Sequence, residues 1–416
     1  MFFRLSRFFI VLLLLTGCAK TVETHLDFVR KDFLQNDKIE TDFSGKNNLD
    51  LLITADGLFH AGDYSNSDAA YEEFNKKNTN VTRASLSRET TNILFGAGAN
   101  EYRPYMMDTL FVSYYQLWTA LAQNRYDDAR VIINQLYARQ QDMSRAFEKT
   151  IESTQKELKK NTELNTVLSS DTATWTAYRD IMNPALMYLS GIYFLNSRDF
   201  SDAETYLKRA SGMAPNNSFV AKDLEYAENK SVPQNTVWIF IEDGFAPKLT
   251  EKRISLPVVA GDVKSFVTIA TSEPVFFENY VKINNAQNIA DVDSMFITEY
   301  KEYRINEATR SLASAVARTV LQSAAYNSKN SGTPFIGLLS TIYSEVTTNA
   351  EVRTWATLPK TISVLRVDKN KTGLIDLQSN GNLVTQLSVP NDGNNYLVYV
   401  RVGQKNLDTK VIKLKK

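Results

Sequence analysis

Apolar residues recur at intervals of three and four from about residue 45 to 230, with little glycine or proline between them. That is the period of helices that bury one face. After Pro233 the period falls to two. Thr236 to Glu242 (Thr-Val-Trp-Ile-Phe-Ile-Glu) is β-branched and aromatic, as a buried strand should be. Glu242-Asp243 reads as a turn, with Asp243-Gly244 as its signal. Lys252 to Val259, where Pro257 demands an edge or an end, and Lys264 to Ala270 predict further strands. So do Thr361 to Val367, Gly373 to Gln378, Asn382 to Val389, Tyr396 to Val402 and Lys410 to Leu414, with turns near Lys369-Asn370 and Asp392-Gly393. Between these groups, Thr298 to Ala325 predicts one long helix and Thr333 to Thr347 a second. The expectation is an all-α half followed by an α+β half, with a mostly antiparallel sheet and an inserted helical pair at about 291–348.

Within the helical half, Asn183 to Pro215 is the most regular stretch. Gly191, Phe194, Phe200, Ala203, Leu207, Ala210 and Pro215 are spaced as in the 34-residue tetratricopeptide pattern. In that pattern Gly191 and Ala203 face each other where two helices cross. Phe194 and Leu207 fill the next layer, and Pro215 ends the second helix for want of an amide proton. Weaker copies place Tyr126 at a corner before Ala129, Ile133 and Leu136, and Tyr64 at a corner before Tyr71 and Phe74. The corner aromatics at 64, 126 and 200 stand roughly two repeat lengths apart. Gln135 to Leu164 is a long charged stretch that reads as a projecting helix. Stacked helical pairs leave a concave groove, and Tyr115 is the candidate binding residue on it.

The first residues carry a different message. Arg4 and Arg7 precede an apolar run, Phe8 to Leu15, too short to span a bilayer. It ends in Leu15-Thr16-Gly17-Cys18, which is similar to the lipobox read by bacterial prolipoprotein-processing enzymes. On that likeness residues 1–17 are a signal peptide and Cys18 takes lipid. Several acyl chains, palmitate among them, would hold it to a membrane at about 0.8 kcal/mol per buried methylene. Residues 18–48 then form anchor and tether. By enterobacterial rules, Ala19 rather than Asp after the cysteine indicates the outer membrane.

Composition narrows the chemistry. Lys and Arg number 47 against 47 Asp and Glu, so no basic excess points to nucleic acid. With a single cysteine and two histidines, His25 and His60, neither a disulfide framework nor a zinc site is expected. Gly96-Ala97-Gly98-Ala99 lacks the Gly-Lys-Ser/Thr ending of a phosphate loop. Asp291, Asp293 and Glu299 could pair for acid–base work, but acidic residues at a helix start also offset its dipole. Trp238 and Trp355 could stack on a sugar; Trp355 has the more polar surroundings.

Tyr114 to Arg130, Asn183 to Asn216, Trp238 to Pro257 and Trp355 to Arg366, in that order, resemble landmarks of a family of Gram-negative outer-membrane lipoproteins. Its members combine tetratricopeptide-like repeats with a β-rich C-terminal domain. The resemblance supports the division read from the pattern, residues 49–230 as a helical repeat domain and 233–416 as an α+β domain; it brings no established catalytic residues to carry over, and no cofactor is expected. The expected function is a non-enzymatic, periplasm-facing adaptor that binds envelope proteins in the helical groove. The competing expectation is a cell-wall or carbohydrate binder, hydrolytic or not, that uses Trp355.

Overall fold

In the computed structural model, residues 41–78, 102–136, 183–260, 263–279, 281–301, 350–402 and 407–414 are described, with positions 39, 139, 303, 304, 308, 311 and 312. The expected signal peptide, the lipobox-like residues and Cys18 lie outside them, as do most of the charged stretch 135–164 and the whole of the second helix expected at Thr333 to Thr347.

Three helical hairpins share one turn. α1 (Asn48–His60) leads to α2 (Tyr64–Asn78), α3 (Met106–Ala122) to α4 (126–136), and α5 (Pro184–Asn196) to α6 (Phe200–Met213). Each first helix ends on a residue with positive φ: Gly62 at 80°, Asn124 at 57° and Arg198 at 59°. The amide that follows reaches back five residues: Asp63 to Leu58, Arg125 to Ala120 and Asp199 to Phe194, at 2.9, 2.8 and 3.0 Å. This is the αL ending that satisfies the last carbonyls of a helix. Tyr64, Tyr126 and Phe200 then open the second helices, at the corners the sequence marks. α7 (Ser218–Glu228) packs on α6.

At the third hairpin the close approach differs in detail from the sequence expectation. A Cβ on Gly191 would meet Leu207 first, at 2.6 Å from its Cγ. Ala203 and Ala210 are buried alongside, with Phe194 stacked on Tyr206 at 5.5 Å. Pro215 follows α6 directly and is exposed.

The strand half is a five-stranded sheet in the order β4-β5-β1-β8-β9, from β1 (Thr236–Asp243), β4 (Gln287–Asp291), β5 (Thr361–Asp368), β8 (Tyr396–Val402) and β9 (Leu407–Lys413). All pairs are antiparallel except β1 with β8. β2 (Lys248–Ala260) and β3 (Val263–Val275) form a separate two-stranded ribbon. β6 (Leu374–Ser379) and β7 (Asn382–Ser388) form another. β4 is a strand the sequence pattern missed. Glu242 and Asp243 continue β1, so the turn expected there begins one step later, at Gly244 with φ 71°. α8 starts at residue 292, ahead of the expected Thr298.

β1 is buried along its whole length, and its alternation explains the layering. Trp238 and Phe240 face the helices, whereas Val237, Ile239 and Ile241 join Leu377, Leu387 and Val389 of the β6–β7 hairpin. Helices, sheet and hairpin therefore stack as three layers. One apolar cluster runs from Leu49 in α1 through α3 and α5 to Leu414 at the sheet edge. Pro233 marks a change of secondary structure, not a break in packing. The architecture is mixed α/β.

Candidate functional site

The helices that should line an open groove are covered. α3 buries 14 of its 17 residues and α5 buries 12 of 13. A helix apolar all round is an interior helix, and here the sheet supplies the cover. Trp118 of α3 meets Phe240 of β1 at 5.5 Å and Tyr399 of β8 at 5.4 Å, both edge-on. Tyr188 of α5 lies 5.7 Å from Phe240.

Tyr115, the candidate groove residue, and Trp355, the candidate sugar platform, are therefore corrected together. Both are buried, and their rings sit 6.1 Å apart inside the same seam. Neither reaches a partner or a sugar from there. Their position follows from the aromatic density of α3: so much apolar area is stable only against another apolar layer, and the chain provides its own.

The seam also holds buried charges. Glu242, fully buried at the end of β1, accepts from Tyr399 at 2.7 Å, Tyr115 at 3.0 Å and Arg401 at 3.1 Å. The other Arg401 nitrogen donates to the Gly244 and Thr357 carbonyls, both at 3.0 Å. Burial pushes the Glu242 carboxyl up, against the pull of Arg401 and the Tyr399 hydroxyl. Burial also opposes the Arg401 charge, but Glu242, Tyr115, Tyr399 and Asp56 together outweigh it.

Thr357 hands the network on, donating to Asp56 of α1 at 2.7 Å. Asp56 in turn faces His60, which binds Asp408 of β9 at 3.0 Å. A second knot ties α7 to the sheet. Asp223 accepts from Tyr188 and Trp238 at 2.6 Å and from Arg366 at 2.9 Å, and the Arg366 guanidinium lies over the rings of Tyr226 and Trp238. Asn395 makes a third, donating to Asn196 and the Pro233 carbonyl at 2.8 and 2.7 Å.

Each knot joins a helix or the linker to the sheet. A buried ion pair adds little net energy over apolar packing, yet breaking one partner is costly. The chemistry of these groups is that of registration: Glu242 and Arg401 close only when α3, β1 and β8 are in their proper places.

The acidic trio meets its bland reading. Asp291 caps α8 through the Ser294 amide at 3.1 Å, and Asp293 pairs with Lys360. Glu299 crosses to the start of α3, where its carboxylate accepts from the Met106 and Met107 amides and offsets that helix's dipole. Among the described residues no three His, Cys, Asp or Glu side chains gather as metal ligands. No described helix is long and apolar enough to cross a membrane. A shallow depression at the second hairpin turn is lined by Asn124, Arg125, Tyr126, Asp127 and Asp128, but Arg125 is engaged by Asp68 and Asp128.

The surface feature that stands apart is the β2–β3 ribbon. Its 13 register pairs run Lys248↔Val275 to Ala260↔Val263, and it joins no other strand among the described residues. At about 3.3 Å per residue it is some 40 Å long. Its root is held by buried Leu249, Ile269 and Ala270, by Tyr300 donating to the Ser272 carbonyl at 2.5 Å, and by Ala350 donating to Glu251 at 3.3 Å. Farther out, Phe266 is 76% exposed. The sequence shows both strands but not that they leave the body.

Comparison of the chain with family models, curated proteins and solved structures finds no match.

Proposed function

We propose that this chain is a lipid-anchored, non-enzymatic adaptor of the bacterial envelope, held through Cys18 to the outer membrane and facing the periplasm. Its three hairpins are tetratricopeptide-like, a reading supported by their shared turn and by the Gly191–Leu207 approach. They act as the wall of a rigid body rather than as an open groove. Partner contact falls to the β2–β3 ribbon, whose edges pair with no other strand among the described residues and could take an extended protein segment by strand addition.

The observation that carries this is the division of exposure. The inner helices are closed by the sheet, while the ribbon joins no other strand among the described residues and carries the exposed Phe266 beyond its buried root. An isolated two-stranded ribbon is only marginally stable in water, so added pairing would stabilise it. Charges knotted at the seam suit a structural part better than a reacting one. Tethering to a membrane raises the local concentration, so weak contacts suffice.

The test uses full-length protein in its native membrane, with a photo-crosslinking residue at Phe266 or, separately, at Val131 on the helical wall. Adducts with envelope proteins from position 266 and not from 131 are expected. Adducts only from 131, or from neither, would overturn the ribbon as the contact. Cys18→Ser tests the anchor independently: the protein should leave the membrane fraction.

A further inference from the structure

His60 is the last residue of α1 and its side chain is almost wholly enclosed. One ring nitrogen lies 3.4 Å from Asp56, four residues back on the same helix. The other lies 3.0 Å from Asp408 on β9. Lys410, also on β9, donates to Asp408 at 3.0 Å and to the His60 carbonyl at 3.4 Å, and stands over the rings of Phe59 and Tyr64. Around them stand Phe59, its ring 5.4 Å from the imidazole, Tyr399 of β8 at 6.0 Å, Thr357, which donates to Asp56, and beyond Tyr399 the Glu242–Arg401 pair.

With the imidazole protonated, two carboxylates face two cations. Loss of that proton leaves one carboxylate uncompensated in an enclosed site, a costly state. The carbonyl end of α1 favours the cation as well.

We propose that Asp56, His60, Asp408 and Lys410 form a proton-controlled clasp between α1 and β9, fastened while the imidazole carries its proton and slackened when it gives it up. Burial works against the imidazolium, but Asp408, through its hydrogen bond and charge, and the close carboxylate of Asp56 together prevail and raise its pKa above the ordinary 6.5. A group whose pKa is raised on folding contributes its full stability below the unfolded value and loses it as the pH climbs through the folded one. Burial pushes Asp408 up, but His60 and Lys410 hold it below the usual carboxylate range, so its share disappears only in strong acid. The clasp therefore holds across acid and neutral pH and weakens on the alkaline side.

The element it controls is the sheet's edge strand, which among the described residues pairs only with β8. The far end of β9 has its own ties: the Lys413 carbonyl accepts from Tyr126, and the Leu414 amide donates to Asn395, both at 3.0 Å. Slackening thus frays the Leu407 end first and bares the edge of β8 near Val402.

The experiment uses the full chain carrying His25→Gln, which leaves His60 as its one imidazole. Proton NMR follows that imidazole in the folded protein and in urea, while hydrogen exchange, corrected for intrinsic rates, follows β9 across the same pH range. His60 should titrate higher folded than unfolded. Opening at Asp408 to Lys410 should rise with its deprotonation, up to about tenfold for each unit between the two midpoints. Adding His60→Gln should give the open level at every pH, with no step. A folded midpoint at or below the unfolded one, or β9 protection that does not change across the titration, would overturn the clasp. Both measurements decide it even if the glutamine variant fails to fold.

Discussion

Replacing Gly191 with alanine puts the packing of the third hairpin to a numerical test. The added Cβ would stand 2.6 Å from Leu207 Cγ, 2.7 Å from Cδ2 and 3.3 Å from the Leu207 backbone nitrogen. Comfortable carbon contacts begin near 3.5 Å, so the leucine must retreat by about 0.9 Å. It has nowhere to go: Leu207 is fully buried, as are Phe194 and Tyr206 around it. The short approach to its backbone nitrogen means that α6 itself has to shift. Such overpacking costs about 1–3 kcal/mol. Against this, alanine is favoured over glycine inside a helix by roughly 0.8–1 kcal/mol.

The expected net loss is up to about 2 kcal/mol, read as a lower urea midpoint at unchanged slope. Leu207→Ala alone should cost about 2–5 kcal/mol by leaving a cavity. In the double variant the new methyl group occupies part of that cavity, so the two losses should fall short of additivity by about 1 kcal/mol. A Gly191→Ala protein at least as stable as the parent, or strictly additive losses, would refute this account.

Arg401→Met should destabilise by about 3–5 kcal/mol, since it leaves Glu242 buried with only hydroxyl partners; adding Glu242→Gln should restore most of it in the same urea assay. Asp223→Ala strands Arg366 under the α7 knot and should cost a similar amount, with the largest gain in hydrogen exchange in α7 rather than in α1. Burial pushes Asp108 up to about 7, against hydrogen bonds from Tyr102 and the Tyr105 amide. The folded chain then binds this proton more tightly than the unfolded one, so Asp108 lowers stability as pH rises from about 4 to about 7; a carbon-13 carboxyl titration centred near 4 would contradict it.

The strands were legible where side-chain chemistry repeats the pleat. β1, β5 and β8 combine β-branched and aromatic residues, and their ends fall within a residue or so of the sequence reading. β4 was not legible, because Gln287-Asn288-Ile289-Ala290-Asp291 is mostly polar and is a strand only by virtue of pairing with β5, across a bulge at Asn288/Ala290. The hairpin corners were readable because an aromatic follows a helix-ending turn. The closing of the groove was not. The apolar face of α3 has the same composition whether it meets another protein or the chain's own sheet, so Tyr115 looked available.

The Glu242–Arg401 knot joins positions far apart in the chain, and no local pattern announces the pairing. A faint signal existed in the alternation itself. Glu242 falls two residues after Phe240 and four after Trp238, so a strand continued through it sets a carboxylate on the core face. Reading Glu242-Asp243 as a turn discarded that clue. His60 gave no sequence signal beyond Asp56 one helical turn before it, because Asp408 and Lys410 come from the opposite end of the chain.

β1 lies between β5 and β8, strands delivered only by the last part of the chain. During synthesis the helical hairpins can form as they emerge, since their contacts are local, but the middle strand waits for both neighbours, and α3 and α5 wait for their cover. A message cut short before Tyr396 would therefore make no smaller working version. It would release a chain with a bare strand edge and a sticky flank, conspicuous to proteases and chaperones. The topology makes the molecule its own proofreader for length.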